Sequence, residues 1–248
     1  MLRLTLTMRL DLFLFDSGIC QSRTEAKNFV LDGAVSVNGR VVTKPALDIV
    51  GDEDVSVDRS SKKYVSRGGL KLEGALDNFD ISVEGVLAID IGASSGGFTD
   101  CLLQRGARHV IAVDSGTMQL SPLLRGDSRV SVFENYNARY MEPSDFEYVP
   151  NFAVMDVSFI SATLIIPSVA KILAPGGRFV CLIKPQFEVG RSGLGKGGIV
   201  KNAALRKEAV NKVISSAEAV GFETVGVIES PIVGGDGNIE FLGFFRRK

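Results

Sequence analysis

The stretch VLAIDIGASSGGFTD, residues 86–100, constrains this chain more than any other. Val86, Leu87, Ala88 and Ile89 run through Asp90 into Ile91. Gly92, Ala93, two serines and the pair Gly96–Gly97 follow, and a helical apolar pattern begins at Phe98 and continues to Leu103. This is the order of a buried strand, a glycine turn and the start of a helix. Glycine lacks a Cβ and tolerates positive φ, so its backbone can come close to a ligand. The helix start adds free N–H groups aimed at that ligand.

The acids beside the turn narrow the choice of ligand. A dinucleotide turn reads G-x-G-x-x-G, with its second glycine admitting pyrophosphate; here Ser94 stands at that second position. Asp90, at the strand end, would repel a pyrophosphate and suits a cationic or hydroxyl-bearing ligand. A second strand, 109–113, ends in Asp114, placed as a carboxylate acceptor for two ribose hydroxyls. S-adenosylmethionine carries an ammonium, a sulfonium and a ribose diol, and is the cofactor these acids suit. Asn137, after a strand at 130–133, is placed to face the adenine, and Phe98 to pack beside the cofactor or in the core. The expected cofactor-binding set is Asp90, Gly92, Ala93, Ser94, Gly96, Gly97, Phe98, Asp114, Asn137 and Asp156.

The 248 residues suffice for one large domain and one small one. A net charge of −1 means that any nucleic-acid contact must come from a local patch. No apolar run reaches the roughly 18 residues that a membrane helix needs. Residues 1–18 lack a signal-peptide core, and Met8 is a second possible start. Cys20, Cys101 and Cys181 lie far apart with no C-x-x-C, which suggests neither a disulfide framework nor a metal site. These features lead to the expectation of a cytoplasmic protein without membrane or metal partners; the sequence leaves its oligomeric state open.

The pattern divides into a domain at 8–58, a basic linker at 59–69 and a large domain at 70–248. In the first, Leu10, Leu12, Phe13 and Phe15 fall at helical spacing and Gly18 stops the helix. Ser22 with Glu25 has capping-box spacing before a second helix at 23–31, which ends at Asp32–Gly33. Asn38–Gly39 between apolar runs signals a hairpin, and short strands follow near Ile49 and Val55. The large domain opens on a helix at 69–79. Strands at 86–91, 109–114, 130–133, 152–156, 178–183 and 223–229 then alternate with helices at 97–105, 160–173 and 203–220. That alternation predicts an α/β doubly wound, mostly parallel sheet. A last run, Ile239–Phe245, follows a short glycine loop and is predicted to be antiparallel, because so short a connection suits antiparallel neighbours. Rossmann dehydrogenases lack this late antiparallel strand; class I methyltransferases have it. His109, the one histidine, opens a strand without an evident partner and is expected to be structural.

Charged residues stand where this sheet would open. Asp156 follows FAVM, Lys184 follows FVCLI, and Glu240 begins the final strand. In an open α/β sheet the ligand crevice lies beyond the carboxyl ends of the parallel strands, and an antiparallel strand enters at that same edge. Lys71, on the helix leading into the first strand, completes the set. Charged groups in such apolar surroundings call for a role or a partner. After Lys184 the glycine-rich loop FEVGRSGLGKGGIVKN, 187–202, presents Arg191, Lys196 and Lys201 as candidates for RNA phosphates. It has no G-K-[ST], which argues against a nucleoside triphosphate site.

Two resemblances extend this reading. R-L-D at 9–11, S-R at 22–23, Ala26, D-G at 32–33 and V-N-G at 37–39 resemble the small α+β RNA-binding domain of a small-subunit ribosomal protein, of pseudouridine synthases and of tyrosyl-tRNA synthetases. That resemblance implies a basic RNA face of Arg9, Arg23, Lys27, Arg40 and Lys44; Arg67 of the linker joins this set with Arg191 and Lys196. The Lys71, Asp156, Lys184, Glu240 set resembles the tetrad of FtsJ/RrmJ-type ribose 2′-O-methyltransferases. With SRGGLKLEGAL (66–76), IDIGASSGGFTDCLL (89–103), AVDSG (112–116), MDVSFIS (155–161), LIKPQFE (182–188) and GNIEFL (237–242), the whole chain resembles the TlyA (hemolysin A) family. The resemblance implies transfer of a methyl group from S-adenosylmethionine to a ribose 2′-hydroxyl, in that family on cytidines of ribosomal RNA.

A ribose hydroxyl is a poor nucleophile near neutrality and needs a base or a strong acceptor as the C–O bond forms. Lys184 is the candidate, with Lys71 as a nearby cation and Asp156 and Glu240 orienting the two lysines. Competing readings are a non-catalytic RNA-binding or ribosome-assembly factor and a hemolysin, as the family's older name suggests. A base methyltransferase would bring an Asn-Pro-Pro-type motif or a catalytic cysteine where this chain has Asp156–Val157–Ser158.

Overall fold

A computed structural model describes residues 7–20, 22–31, 33–58, 63–234 and 237–248. The chain divides into two compact units, Met1–Lys63 and Tyr64–Lys248. Asp32, residues 59–62 of the expected linker and Gly235–Asp236 of the late glycine loop lie outside the described residues.

The first unit packs two helices against short strands. β1 (Met8–Arg9) leads into α1 (Leu10–Asp16), and α2 (Arg23–Leu31) follows. Ser22 Oγ accepts the Glu25 N–H at 3.1 Å, the bond expected of a helix-capping serine. β2 (Val35–Val37) and β3 (Arg40–Val42) form the expected hairpin. Its turn needs positive φ at both central residues, which Asn38 (50°) and Gly39 (73°) supply. β4 (Asp48–Ile49) pairs antiparallel with β1, and β5 (Val55–Val57) pairs antiparallel with β2. Leu10, Leu14, Ala26, Phe29, Val30, Val35 and Ile49 close the core.

In the second unit Tyr64 is buried and the Val65 N–H donates to Asp100 at 2.7 Å, so these residues of the expected linker stretch pack with this unit. Next come α3 (Gly68–Asn78), β6 (Leu87–Ile91), α4 (Gly97–Gln104), β7 (His109–Val113), a four-residue helix α5 (Pro122–Arg125) and β8 (Val130–Phe133). β9 (Phe152–Met155), α6 (Ile166–Ile172), β10 (Arg178–Ile183), a short α7 (Pro185–Glu188), α8 (Ala203–Ala219), β11 (Phe222–Glu229) and β12 (Phe241–Arg247) complete it. The seven-stranded sheet has the order β11-β12-β10-β9-β6-β7-β8. β12 runs antiparallel to both its neighbours while β6 to β10 are mutually parallel, the class I methyltransferase arrangement. Separate apolar clusters cover the two faces of the sheet, one around Leu72, Leu76 and Leu102 and the other around Ile166, Val169 and Val213.

Three local expectations change. The helix expected over 160–173 is a 3-10 turn at Ala162–Leu164 followed by α6, because Pro167 has no N–H to donate and fits only a first helical turn. The last strand begins at Phe241 and leaves Glu240 just ahead of it. His109 does have partners: Nε2 lies 2.9 Å from Ser131 Oγ and the ring meets Tyr148 edge-on, while burial lowers its pKa. Among the described residues no helix is long and apolar enough to cross a membrane.

Candidate functional site

The chain reverses sharply at the carboxyl end of β6. The N–H groups of Gly92 and Ala93 both donate to the Val113 carbonyl, at 2.8 and 3.0 Å, tying the turn to the tip of β7. Gly92 has φ 83°, and a Cβ there would stand 2.4 Å from the Asp156 carbonyl oxygen. Only glycine lets the tips of β6 and β9 approach in this way. Ser94 is also left-handed, at φ 49°. Its N–H donates to one Asp114 oxygen while the Gly116 N–H donates to the other, both at 2.7 Å. A carboxylate has about four acceptor sites, so two remain for a diol.

Between these tips lies a cleft of about 450 Å³, lined by Gly92, Ser94, Asp114, Asn137 and Asp156 of the expected set. Ser115, Gly116, Gln119, Tyr136, Ser158 and Phe159 join them without having been anticipated. Their loops are held by side chains that the sequence did not flag. Glu134 accepts the N–H groups of Met118, Gln119 and Leu120, at 2.8, 2.8 and 3.1 Å, and pairs with Arg125 at 2.6 Å. Burial would raise its carboxyl; the amides and Arg125 outweigh that and hold it below the usual glutamate value. Asn137 accepts the Arg139 N–H at 3.1 Å and so starts a 3-10 turn on the cleft wall.

The other expected cofactor residues lie outside this lining. Asp90 is wholly buried; it accepts a 2.6 Å bond from Thr99 Oγ1, and its second oxygen has no partner among the described residues. Burial raises its carboxyl to about 7 despite the Thr99 bond. Ala93 and Phe98 are buried in the core. The Gly96–Gly97 pair makes its close approach to protein: a Cβ on Gly96 would meet Leu124 at 2.2 Å, and one on Gly97 would meet Ser66 at 2.3 Å.

The four charged candidates form two ion pairs. Lys71 Nζ, from α3, lies 2.5 Å from Glu240 Oε2, with both side chains nearly out of water. Lys184 Nζ lies 2.6 Å from Asp156 Oδ1 and also donates to Ser158 Oγ at 2.7 Å. Strand register makes the pairs neighbours. Ile183 of β10 stands opposite Phe241 of β12, and Lys184 and Glu240 are one step further along that ladder. Gln186, two residues after Lys184, directs its amide toward Glu240 at 3.5 Å.

The cations expected to meet RNA divide by unit. Arg9 donates twice to Asp11, at 2.9 and 2.8 Å, and Arg23 lies 3.6 Å from the same carboxylate. Asp11 is buried, and the Arg9 bonds hold its carboxyl below the usual range. Lys27 is one helical turn beyond Arg23 on α2. The Asp11 N–H bonds to the Pro45 carbonyl at 3.0 Å, which brings the chain after Lys44 to the same end of the unit. Arg40 is exposed on β3, away from these contacts. In the second unit Arg67 donates to the Val233 carbonyl at 3.2 Å. Arg191 and Lys196 are exposed on two 3-10 turns after α7, and Lys201 is exposed beyond them.

Known proteins share this arrangement. The FtsJ-like methyltransferase family profile matches residues 64–247, and the S4 domain profile matches residues 8–55. YqxC of Bacillus subtilis, a proposed rRNA methyltransferase, is 47% identical over 94% of this chain and 84% of its own length. The 16S/23S rRNA (cytidine-2′-O)-methyltransferase TlyA of Mycobacterium tuberculosis is 40% identical over 96% of this chain and 89% of its own length. A solved structure from Streptococcus thermophilus, described as a proposed hemolysin, superposes with a TM-score of 0.78 at 46% identity and covers 98% of this chain and 90% of that one. With a profile spanning the second unit and such relatives along nearly the whole length, the chain belongs to the FtsJ-like methyltransferase family, in its TlyA branch, joined to an S4 domain.

Proposed function

We propose that this chain transfers a methyl group from S-adenosylmethionine to the 2′-hydroxyl of a cytidine ribose in ribosomal RNA. The observation that carries the reading is the placement of two adjoining lysine–carboxylate pairs, one of whose acids, Asp156, also lines the cleft. Relatives named as rRNA cytidine-2′-O-methyltransferases support it, and ribosomal RNA as substrate makes the cytoplasm the expected place of work.

The cleft fits the methyl donor on its own chemistry. Asp114 keeps acceptor sites for a ribose diol, and Asp156 adds a second carboxylate, which suits a cationic ligand and disfavours a pyrophosphate. Gly92, Ser94 and the Gly116 loop would hold the nucleoside, with Asn137 and Tyr136 against the adenine. Asp90 is buried outside the cleft lining and bonded to Thr99, so its part is in holding β6 against α4. S-adenosylmethionine supplies an electrophilic methyl group on a sulfonium.

In its unprotonated amine form Lys184 receives the proton of the acceptor hydroxyl at Nζ as the C–O bond forms. Asp156 and Glu240 fix the two lysines, and Lys71, held by Glu240, places a second positive charge near where oxygen charge develops. Much of the rate is assigned to holding hydroxyl and methyl in line. The Arg9, Arg23, Lys27, Lys44 end of the S4 unit supplies phosphate contacts, which position the RNA without reading its bases; Arg40, Arg67, Arg191 and Lys196 add to them.

The test is incubation of the purified chain with methyl-labelled S-adenosylmethionine and each ribosomal subunit, followed by mapping of the label. Label on a cytidine 2′-oxygen is expected. Label on a base, or none while the RNA is bound, overturns the reading; the second result favours an assembly factor.

A further inference from the structure

Lys184 Nζ has two partners from one short segment. Asp156, the first residue after β9, lies at 2.6 Å, and Ser158, two residues on, accepts at 2.7 Å. An amine nitrogen is tetrahedral. One bond goes to Cε, and three directions remain: three protons in the ammonium, or two protons and a lone pair in the amine. Ser158 Oγ takes the hydrogen bond that Nζ donates, whereas Asp156 Oδ1 is an ion contact without a hydrogen bond among the described residues. With one direction tied to Ser158, the two others are left for the lone pair, and so for the proton of an incoming hydroxyl. With Asp156 alone the amine could swing about its last two bonds and spread that lone pair over a wide arc.

The segment that presents Ser158 is anchored at both ends. The Asp156 N–H donates to the Ile91 carbonyl at 2.9 Å. Buried Glu188 accepts from Ser161 Oγ at 2.5 Å and from the Ala162 N–H at 2.7 Å. Between them Phe159 is held at φ 64°, a left-handed conformation that L side chains rarely adopt. Ser158 lines the cleft.

We propose that Ser158 is a positioning residue for the methyl transfer: its hydroxyl takes the hydrogen bond of the Lys184 amine and so turns a free direction of Nζ toward the acceptor hydroxyl. This rests on the reading of Lys184 as the base. Ser158 itself takes no proton from the substrate and contributes through geometry, where small misplacements of reacting groups are costly.

The experiment measures kcat, and KM for each substrate, with the full chain, ribosomal subunits and labelled S-adenosylmethionine, for Ser158→Ala, Ser158→Thr and Lys184→Ala. Ser158→Ala should lower kcat about 10- to 100-fold, with KM for S-adenosylmethionine, RNA affinity and melting temperature unchanged. Ser158→Thr keeps an oxygen on the same carbon and should recover most of the lost rate. Wild-type kcat in Ser158→Ala, a loss confined to KM, or a Thr variant as slow as the Ala variant overturns the proposal. If Lys184→Ala transfers no methyl while Ser158→Ala runs at full rate, the serine proposal falls alone. If Lys184→Ala still transfers methyl, the base assignment falls and the serine proposal with it.

Discussion

The two units treat charge in opposite ways. In the first, Lys27, Arg40 and Lys44 stand in water with no carboxylate partner among the described residues, and the buried acid Asp11 faces outward-reaching arginines. In the second, Lys71, Glu240 and Glu188 are taken inside and each is engaged by a neighbouring side chain. An exposed cation stays hydrated and exchanges water or counterions for phosphate at little cost, which suits binding. A buried charge has lost its water and depends on one partner in one geometry, which suits chemistry. The comparison predicts that substitutions in the two units will fail differently.

The largest effect is expected at Lys184. Its replacement by alanine should reduce methyl transfer about 10²- to 10⁴-fold, while RNA binding, followed by filter retention, stays at the wild-type level. Loss of both together would break the division of labour between the units. Glu240→Ala comes next, because it leaves Lys71 buried without its carboxylate. Urea unfolding should show a loss of about 3–5 kcal/mol, and a change too small to resolve would mean that the pair is open to water.

Asp90 gives a pH signature. Burial raises its carboxyl from 3.8 to about 7, so between those values the folded chain holds a proton that the unfolded chain has released. The stability it contributes is present at the acid end of that window and is lost as pH rises to about 7, a swing on the order of 4 kcal/mol. Asp90→Asn should remove this slope, seen as the difference between wild-type and variant unfolding free energies across the window. Parallel curves would place Asp90 in contact with water or a cation. The smallest effect is expected from Arg40→Ala: no measurable change in stability, and a salt dependence of RNA binding reduced by about one unit of slope.

Much of this was legible before any coordinates. The strand–glycine–helix order, the alternation of periods and the Asn38–Gly39 hairpin are local signals, and local signals survive packing. Asp156, Lys184 and Glu240 are legible because charge beside an apolar run is rare, whereas Lys71 sits on an ordinary helix and joins them through the resemblance. The cleft wall was harder to read. Ser158 and Gln119 are ordinary polar residues whose role comes from what lies across the cleft, and Phe159 is a single exposed aromatic. Glu134 follows a strand like many surface glutamates; only the three amides of a loop 14 to 16 residues earlier reveal its task. The glycine pair Gly96–Gly97 was read as room for a ligand, but sequence does not say which neighbour occupies the space a Cβ would fill. The sequence sets Asp90 beside the turn as an acid suited to a cationic or hydroxyl-bearing ligand, whereas the alternation of the strand turns this side chain inward onto Thr99.

The contact between Gly92 and the Asp156 carbonyl has an evolutionary consequence. With no room for even a methyl group between them, the bend that receives the donor and the acid that steadies the amine cannot drift apart by single substitutions. A side chain introduced at Gly92 would be felt first at Asp156, and would register as a defect in turnover as much as in cofactor affinity.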